Sequence, residues 1–210
     1  MSTVKDPGRL PKPVLISRIL RQVGASKLKG MFGTKRDFNI LPKEWAAPDS
    51  ATAKEAERLV AELCNPIILA HSYRTYFFGA ILGVRDKLSF DRELFYIAAL
   101  LHDLGLTKAY DTEPGSFEWV GAEKARLFCI EQGYPDAKAD LVHDAIALHT
   151  SFGPATSREP EVAMVHNGAG LDILGRRIED LPRASLDEIL DRHPREGCKK
   201  HYIACLNRQA

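Results

Sequence analysis

Ala98-Ala99-Leu100-Leu101-His102-Asp103-Leu104-Gly105 ends an apolar run in an adjacent imidazole and carboxylate. Leu94, Phe95 and Ile97 carry the run back towards Asp91, so the segment 91–104 is apolar almost all round. A helix without a polar face is a buried helix. Gly105 stands where a left-handed C-terminal cap belongs. His102 and Asp103 are therefore expected in the last turn of a core helix. An unpaired carboxylate there is costly, and a cation held by both side chains removes the cost. The dipeptide alone carries little weight, because seven histidines are present and His143-Asp144 is a second pair. Its setting carries the argument.

Upstream of this stretch, Thr52-x-x-Glu55 reads as a capping box, followed by Ala53, Ala56, Leu59, Val60 and Leu63 at helical spacing. Asn65-Pro66 stops that helix and starts the next, with Asn as cap and Pro in the first turn. The segment from Ile67 to Leu82 is apolar on most faces and so is central as well. His71 and Arg74 are spaced i, i+3 on it and lie near one another. Further upstream, residues 1 to about 12 are polar, and a short helix is predicted with Val14, Leu15, Ile19, Leu20 and Val23 on its apolar side. Residues 25–49 break up around glycines and prolines. Lys27, Lys29, Lys35 and Arg36 make them locally basic, which reads as a solvated loop.

Downstream, a turn-rich link leads to Phe117-Glu118-Trp119, which opens a helix running to about Gln132. Glu118 between two aromatics suits a pocket wall, or equally an acid favoured by the helix N-terminal dipole. The helix from Asp136 sorts its histidines by phase: Leu141, Val142, Ala145, Leu148 and His149 share one stripe, while His143 points away. His143-Asp144 is therefore read as a solvated face, and His149 as facing the core. In the segment 161–175, Asp172 lies in the stripe of Val162, Val165, Ala169 and Ile173, an acid that needs a partner. Gly168, Ala169 and Gly170 leave room for another helix. Asp172 is about 240° around the helix from His166, so the two are not expected on one ion. Leu186 to Leu190 and Tyr202 to Leu206 read as packing elements without chemistry.

Composition narrows the classes. The 210 residues suit one domain with a sizeable core. At 45% hydrophobic, 27% charged and a net charge of +1, the chain lacks the basic excess of a nucleic-acid binder. No run approaches the ~20 apolar residues of a membrane span, and no signal-peptide core is visible. Cys64, Cys129, Cys198 and Cys205 show no C-x-x-C spacing and read as free thiols of a cytoplasmic protein. No segment alternates with period two, so the expected fold is all-α, with about eight helices and a site between the central ones.

His71, His102, Asp103 and Asp172 then form a set, in the order His … His-Asp … Asp, each on a buried helix. Two imidazoles and two carboxylates suit zinc, and also manganese or ferrous iron. This order, with the pair inside Leu-Leu-His-Asp-Leu-Gly, resembles the HD superfamily of metal-dependent hydrolases over roughly residues 50–178. The resemblance implies a compact helical fold, with those four residues as ligands of one divalent transition metal, most simply Zn2+. It divides the chain into an N-terminal extension (1–50), an HD-type catalytic core (51–178) and a C-terminal helical packing segment (179–210).

His71-Ser-Tyr-Arg74 with Tyr76-Phe77-Phe78-Gly79, Glu118-x-x-Gly121-Ala122 and Ile146-Ala-Leu-His149-Thr150-Ser151 resemble the cyanamide hydratase-type branch of that superfamily. The first fifty residues do not match it. The resemblance implies that metal-activated water adds to a nitrile, with Glu118 and His149 lining the substrate pocket. Asp103 is the candidate to manage the proton of that water, and Arg74 to bind an anionic substrate or orient a ligand carboxylate. Zinc lowers the pKa of bound water from 15.7 to about 7, worth roughly 12 kcal/mol. The competing activity is hydrolysis of a nucleotide or phosphate ester, for which Arg74, Lys108 and Arg176 are the nearest cations. A two-metal site that adds His149 and His166 is a further alternative, and a non-catalytic sensor a third, disfavoured by the complete ligand set. The expected partner is a small-molecule substrate. Neither nucleic acid nor a membrane is expected, and a homo-oligomer stays open.

Overall fold

A computed structural model describes Lys5 and residues 40–209 apart from Phe152, so the helix expected over Val14 to Val23 and the basic cluster at Lys27, Lys29, Lys35 and Arg36 lie outside the described residues. Among those described there are nine α-helices and no strand: α1 (Pro42–Trp45), α2 (Ala51–Leu63), α3 (Pro66–Arg85), α4 (Arg92–Leu101), α5 (Phe117–Glu131), α6 (Asp136–Ala147), α7 (Pro160–Leu174), α8 (Arg183–Arg192) and α9 (Cys198–Gln209). The all-α expectation holds.

Local chemistry sets the helix starts. Asn65 Oδ1 accepts from the amides of Ile67 and Ile68, with Pro66 in the first turn of α3. Asp91 caps α4 through Glu93 and Leu94, and Ser116 caps α5 through Trp119. At α2 the cap is Ser50, which accepts from Ala53, and not Thr52. Thr52 lies inside the helix, and Glu55 turns outward to Arg58. Two residues can both start such a motif, and the one preceding the first turn takes the role.

Helices α3, α4 and α7 form the centre. Leu94 to Leu101 are all buried, as the unbroken apolar run requires. By length and composition α3 is long and apolar enough to cross a membrane, which the sequence reading did not anticipate. Here it is a core helix: thirteen of its twenty residues are buried. It crosses α7 closely because Gly168 lacks a Cβ, which would stand 2.1 Å from the Thr75 carbonyl oxygen.

Gly105 is not the left-handed cap that the sequence suggested. Helix α4 ends at Leu101, His102 and Asp103 turn away from it, and Gly105 sits inside the 3-10 turn Leu104–Leu106. Its role is close approach: a Cβ would lie 2.1 Å from the Phe117 carbonyl oxygen, so the turn packs against the start of α5 only with glycine. That contact sets the His-Asp turn beside Phe117, and so beside Glu118.

Helix α6 departs from its predicted phase. His143 and Asp144 are buried, not solvated. The Trp119 ring meets His143 edge-on at 4.9 Å, and Arg158 closes over Asp144 at 2.5 Å. The phase argument assumed one open face, whereas α5 and the segment around Arg158 cover the polar side too.

Candidate metal centre

His71 comes from the first half of α3, and His102 and Asp103 from the turn that follows α4. All three are buried. Nε2 of His71 and Nε2 of His102 stand 3.2 Å apart, and Oδ2 of Asp103 lies 3.3 Å from the second and 3.7 Å from the first. Donors bonded at about 2.1 Å to one ion stand ~3.0 Å apart in an octahedron and ~3.4 Å in a tetrahedron. The spacing fits a single ion.

The outer ring nitrogens decide which atoms face inward. Nδ1 of His102 meets the carbonyl oxygen of Ala99 at 2.8 Å, and Nδ1 of His71 meets Oδ2 of Asp172 at 2.6 Å. A carbonyl and a carboxylate only accept, so each Nδ1 carries a proton, and Nε2 is the atom of each ring that faces inward and would bind a metal once it is free of its own proton. Two imidazole Nε2 atoms and a carboxylate oxygen therefore converge in a buried space. A cation is the group that makes this arrangement favourable, and zinc, manganese or ferrous iron would accept it.

His149 repeats the pattern. Its Nδ1 donates to the Ile146 carbonyl at 2.6 Å, and its Nε2 lies 3.7 Å from Oδ1 of Asp103. Burial, followed by the charge of His102, pulls its pKa down to about 3, so the ring is neutral near pH 7. Thr150, the next residue, donates to Oε1 of Glu118 at 2.6 Å. Burial raises the Glu118 pKa above the ordinary carboxylate value. His149 and Glu118 thus stand together beside the donors. Burial opposes charge on Asp103, but the His102 and His71 rings outweigh it and hold its carboxyl well below the usual range.

Asp172 is brought only to the rim of the set. Its oxygens accept from Arg74 Nε at 2.9 Å and Nη2 at 2.8 Å, from Arg195 Nε at 2.6 Å, and from His71. The partner expected to be a metal is in the first instance a pair of guanidinium groups and an imidazole. Cys198 joins His71 and Asp172 in a second buried group of potential donors. Arg74 is fully buried and also donates to the carbonyls of His193 and Pro194, so it orients Asp172 and does not face a substrate. A cavity of about 380 Å³ is lined by Asp172, Arg195, Cys198 and Lys200, and not by His71, His102 or Asp103.

His166 stays outside the centre. Its Nδ1 meets the His149 carbonyl oxygen at 2.8 Å and its Nε2 faces Arg176 Nη1 at 2.9 Å. Arg195 and Tyr202 are site residues that the sequence reading missed. Tyr202 donates to Oδ2 of Asp103 from α9, a segment read as packing alone. The stripe Cys198, Tyr202, Cys205, at i, i+4 and i+7, was the available signal. The four cysteines are buried free thiols, in line with their scattered spacing.

A family model described as HD domain matches residues 68–192. Cyanamide hydratase DDI2 of Saccharomyces cerevisiae is 26% identical over 164 residues, spanning 75% of this chain and 70% of the yeast protein. Cyanamide hydratase DDI3 of the same yeast matches to the same extent. The family match spans more than half of the chain and takes in both central histidines, Asp103 and Asp172, so this chain belongs to the HD domain family.

Proposed function

We propose that this protein is a metal-dependent hydratase or hydrolase that adds water to a small, neutral, electrophilic substrate, with the nitrile of cyanamide as the leading candidate and urea as product. The observation that carries the reading is the inward turn of His71 and His102 Nε2 onto Asp103 Oδ2, with the Nε2 of His149 beside Asp103. His71, His102 and Asp103 would hold one divalent ion, most simply zinc, with Asp172 aligning His71 from behind. When bound, such an ion acidifies water and so supplies a nucleophile at neutral pH.

The chain's own groups account for the proton traffic. His149 Nε2, unprotonated beside Asp103, is placed to relay the proton that water gives up as its oxygen bonds to the nitrile carbon. One pair of the carbon–nitrogen triple bond moves to nitrogen, which takes a proton, and the isourea so formed becomes urea when its hydroxyl proton shifts to that nitrogen. Glu118, held by Thr150 next to His149, is the group placed to pass a proton to that nitrogen. The two yeast relatives, named as cyanamide hydratases, support the substrate.

Phosphate-ester hydrolysis is less well supported. Arg74 is spent on Asp172, Lys108 is exposed, and Arg176 faces His166. The two-metal alternative lacks His166, whose Nε2 faces a guanidinium. The buried free thiols fit a reducing, cytoplasmic setting. Metal analysis of the purified chain, with urea release from cyanamide measured against phosphate release from simple esters, tests the proposal. About one metal per chain and urea formation are expected. A metal-free active protein, or turnover of the esters alone, overturns it.

A further inference from the structure

Tyr202 stands beyond residue 192, where the family match ends, yet it touches the centre. Its hydroxyl donates to Oδ2 of Asp103, the carboxylate oxygen that also faces both Nε2 atoms. The Tyr202 ring meets the His71 ring edge-on at 4.9 Å, and the residue is 8% exposed. Helix α9 is seated by the buried stripe of Cys198, Tyr202 and Cys205, and His201 meets Asn65, the cap of α3, at 3.0 Å. The chain leading into α9 is held as well, since Arg74 takes the carbonyls of His193 and Pro194, and Arg195 takes Asp172.

A carboxylate oxygen has two lone-pair sites. The Tyr202 hydroxyl occupies one site on Oδ2, which orients the other. Rotation of the Asp103 carboxylate would break this hydrogen bond inside a dry site, where an unmade bond is costly. We propose that Tyr202 is a positioning residue of the metal site, its hydroxyl fixing Oδ2 of Asp103 so that the carboxylate presents a lone pair to the space between His71 and His102. The assignment rests on the metal reading given above, and it makes the C-terminal helix part of the site.

Cobalt(II) titration of the full metal-free chain, followed by visible absorption, tests this for the wild type, Tyr202→Phe and His102→Ala. The phenyl ring preserves packing and removes only the hydroxyl. Tyr202→Phe should bind cobalt 10- to 100-fold more weakly, as is typical for loss of a group that orients a ligand, and with a shifted spectrum. His102→Ala should lose the spectrum altogether. Equal affinity and an identical spectrum in Tyr202→Phe overturn the role of Tyr202 while leaving the metal reading intact. Absence of cobalt binding by the wild type overturns both. Fluorine NMR of the wild type carrying 3-fluorotyrosine reads the same contact without a substitution, so it decides even if Tyr202→Phe does not fold. One of the six tyrosine resonances should shift strongly with cobalt, and no such shift overturns the proposal.

Discussion

His71 presents its Nδ1 to Asp172 at 2.6 Å, and the same carboxylate is bridged at two points by Arg74 from one turn further along α3. Asp172 thereby sets the orientation and the tautomer of His71, the arrangement in which a carboxylate raises the basicity of a metal-binding imidazole. Burial works against charge on Asp172, but the hydrogen bonds from His71 and Arg74 prevail and hold its carboxyl far below the ordinary range.

Removing Arg74 leaves a buried charge with fewer partners. Arg74→Ala should destabilise the fold by about 3–5 kcal/mol. Arg74→Lys should recover only part, because an ammonium cannot span both oxygens. Urea denaturation midpoints of the three proteins check this, and equal midpoints would show that Arg195 alone suffices.

The two His-Asp pairs should separate cleanly. His102→Ala is expected to abolish metal binding and turnover. His143→Ala should leave the metal content intact, yet it removes a buried ring packed on Trp119 and so should lower stability by about 1–3 kcal/mol. Metal analysis and thermal melting on both variants provide the check. Loss of metal from His143→Ala would mean that the pair lies within reach of the centre after all.

Substitution of His149 or Glu118 should cut turnover by ~10²- to 10⁴-fold, the usual range for a positioned proton-transfer group. Metal content should stay at about one per chain, since His149 and Glu118 fall outside the cluster of His71, His102 and Asp103, whose donor atoms lie within 4.8 Å of one another. A fall in stoichiometry in His149→Ala would make that ring a ligand and overturn its assignment as base.

Stability should fall as the medium becomes acidic. Burial pulls the His166 pKa down to about 4, against 6.5 for an ordinary histidine. Between pH 6.5 and 4 the unfolded chain therefore binds a proton that the folded chain refuses, and stability decreases with falling pH. From pH 7 to pH 5 His166 accounts for roughly 2 kcal/mol of that loss. His166→Asn should shrink the loss by about this amount in denaturation curves at the two pH values. Comparing variant with wild type separates His166 from His102, whose proton Asp103 favours despite burial and which acts in the opposite direction. An unchanged pH dependence would show that His166 titrates normally.

Much of the fold was legible locally. The unbroken apolar run of α4 and the Asn65-Pro66 start of α3 follow from side-chain size and capping groups within a few residues. The membership of His71, His102 and Asp103 in one site was legible too, because polar groups on fully apolar helices must meet one another. Three outcomes belonged to tertiary structure. Asp172 meets His71 across 101 positions and takes two arginines as partners, and nothing in the helical phase of α7 names them. His143 is buried because a neighbouring helix covers a face whose own periodicity reads as open. Tyr202 reaches Asp103 because Arg74 and Arg195 hold the chain that leads into α9. The common reason is that a sequence pattern reports which face of a helix is apolar, whereas pairing and coverage depend on what the other helices place against it.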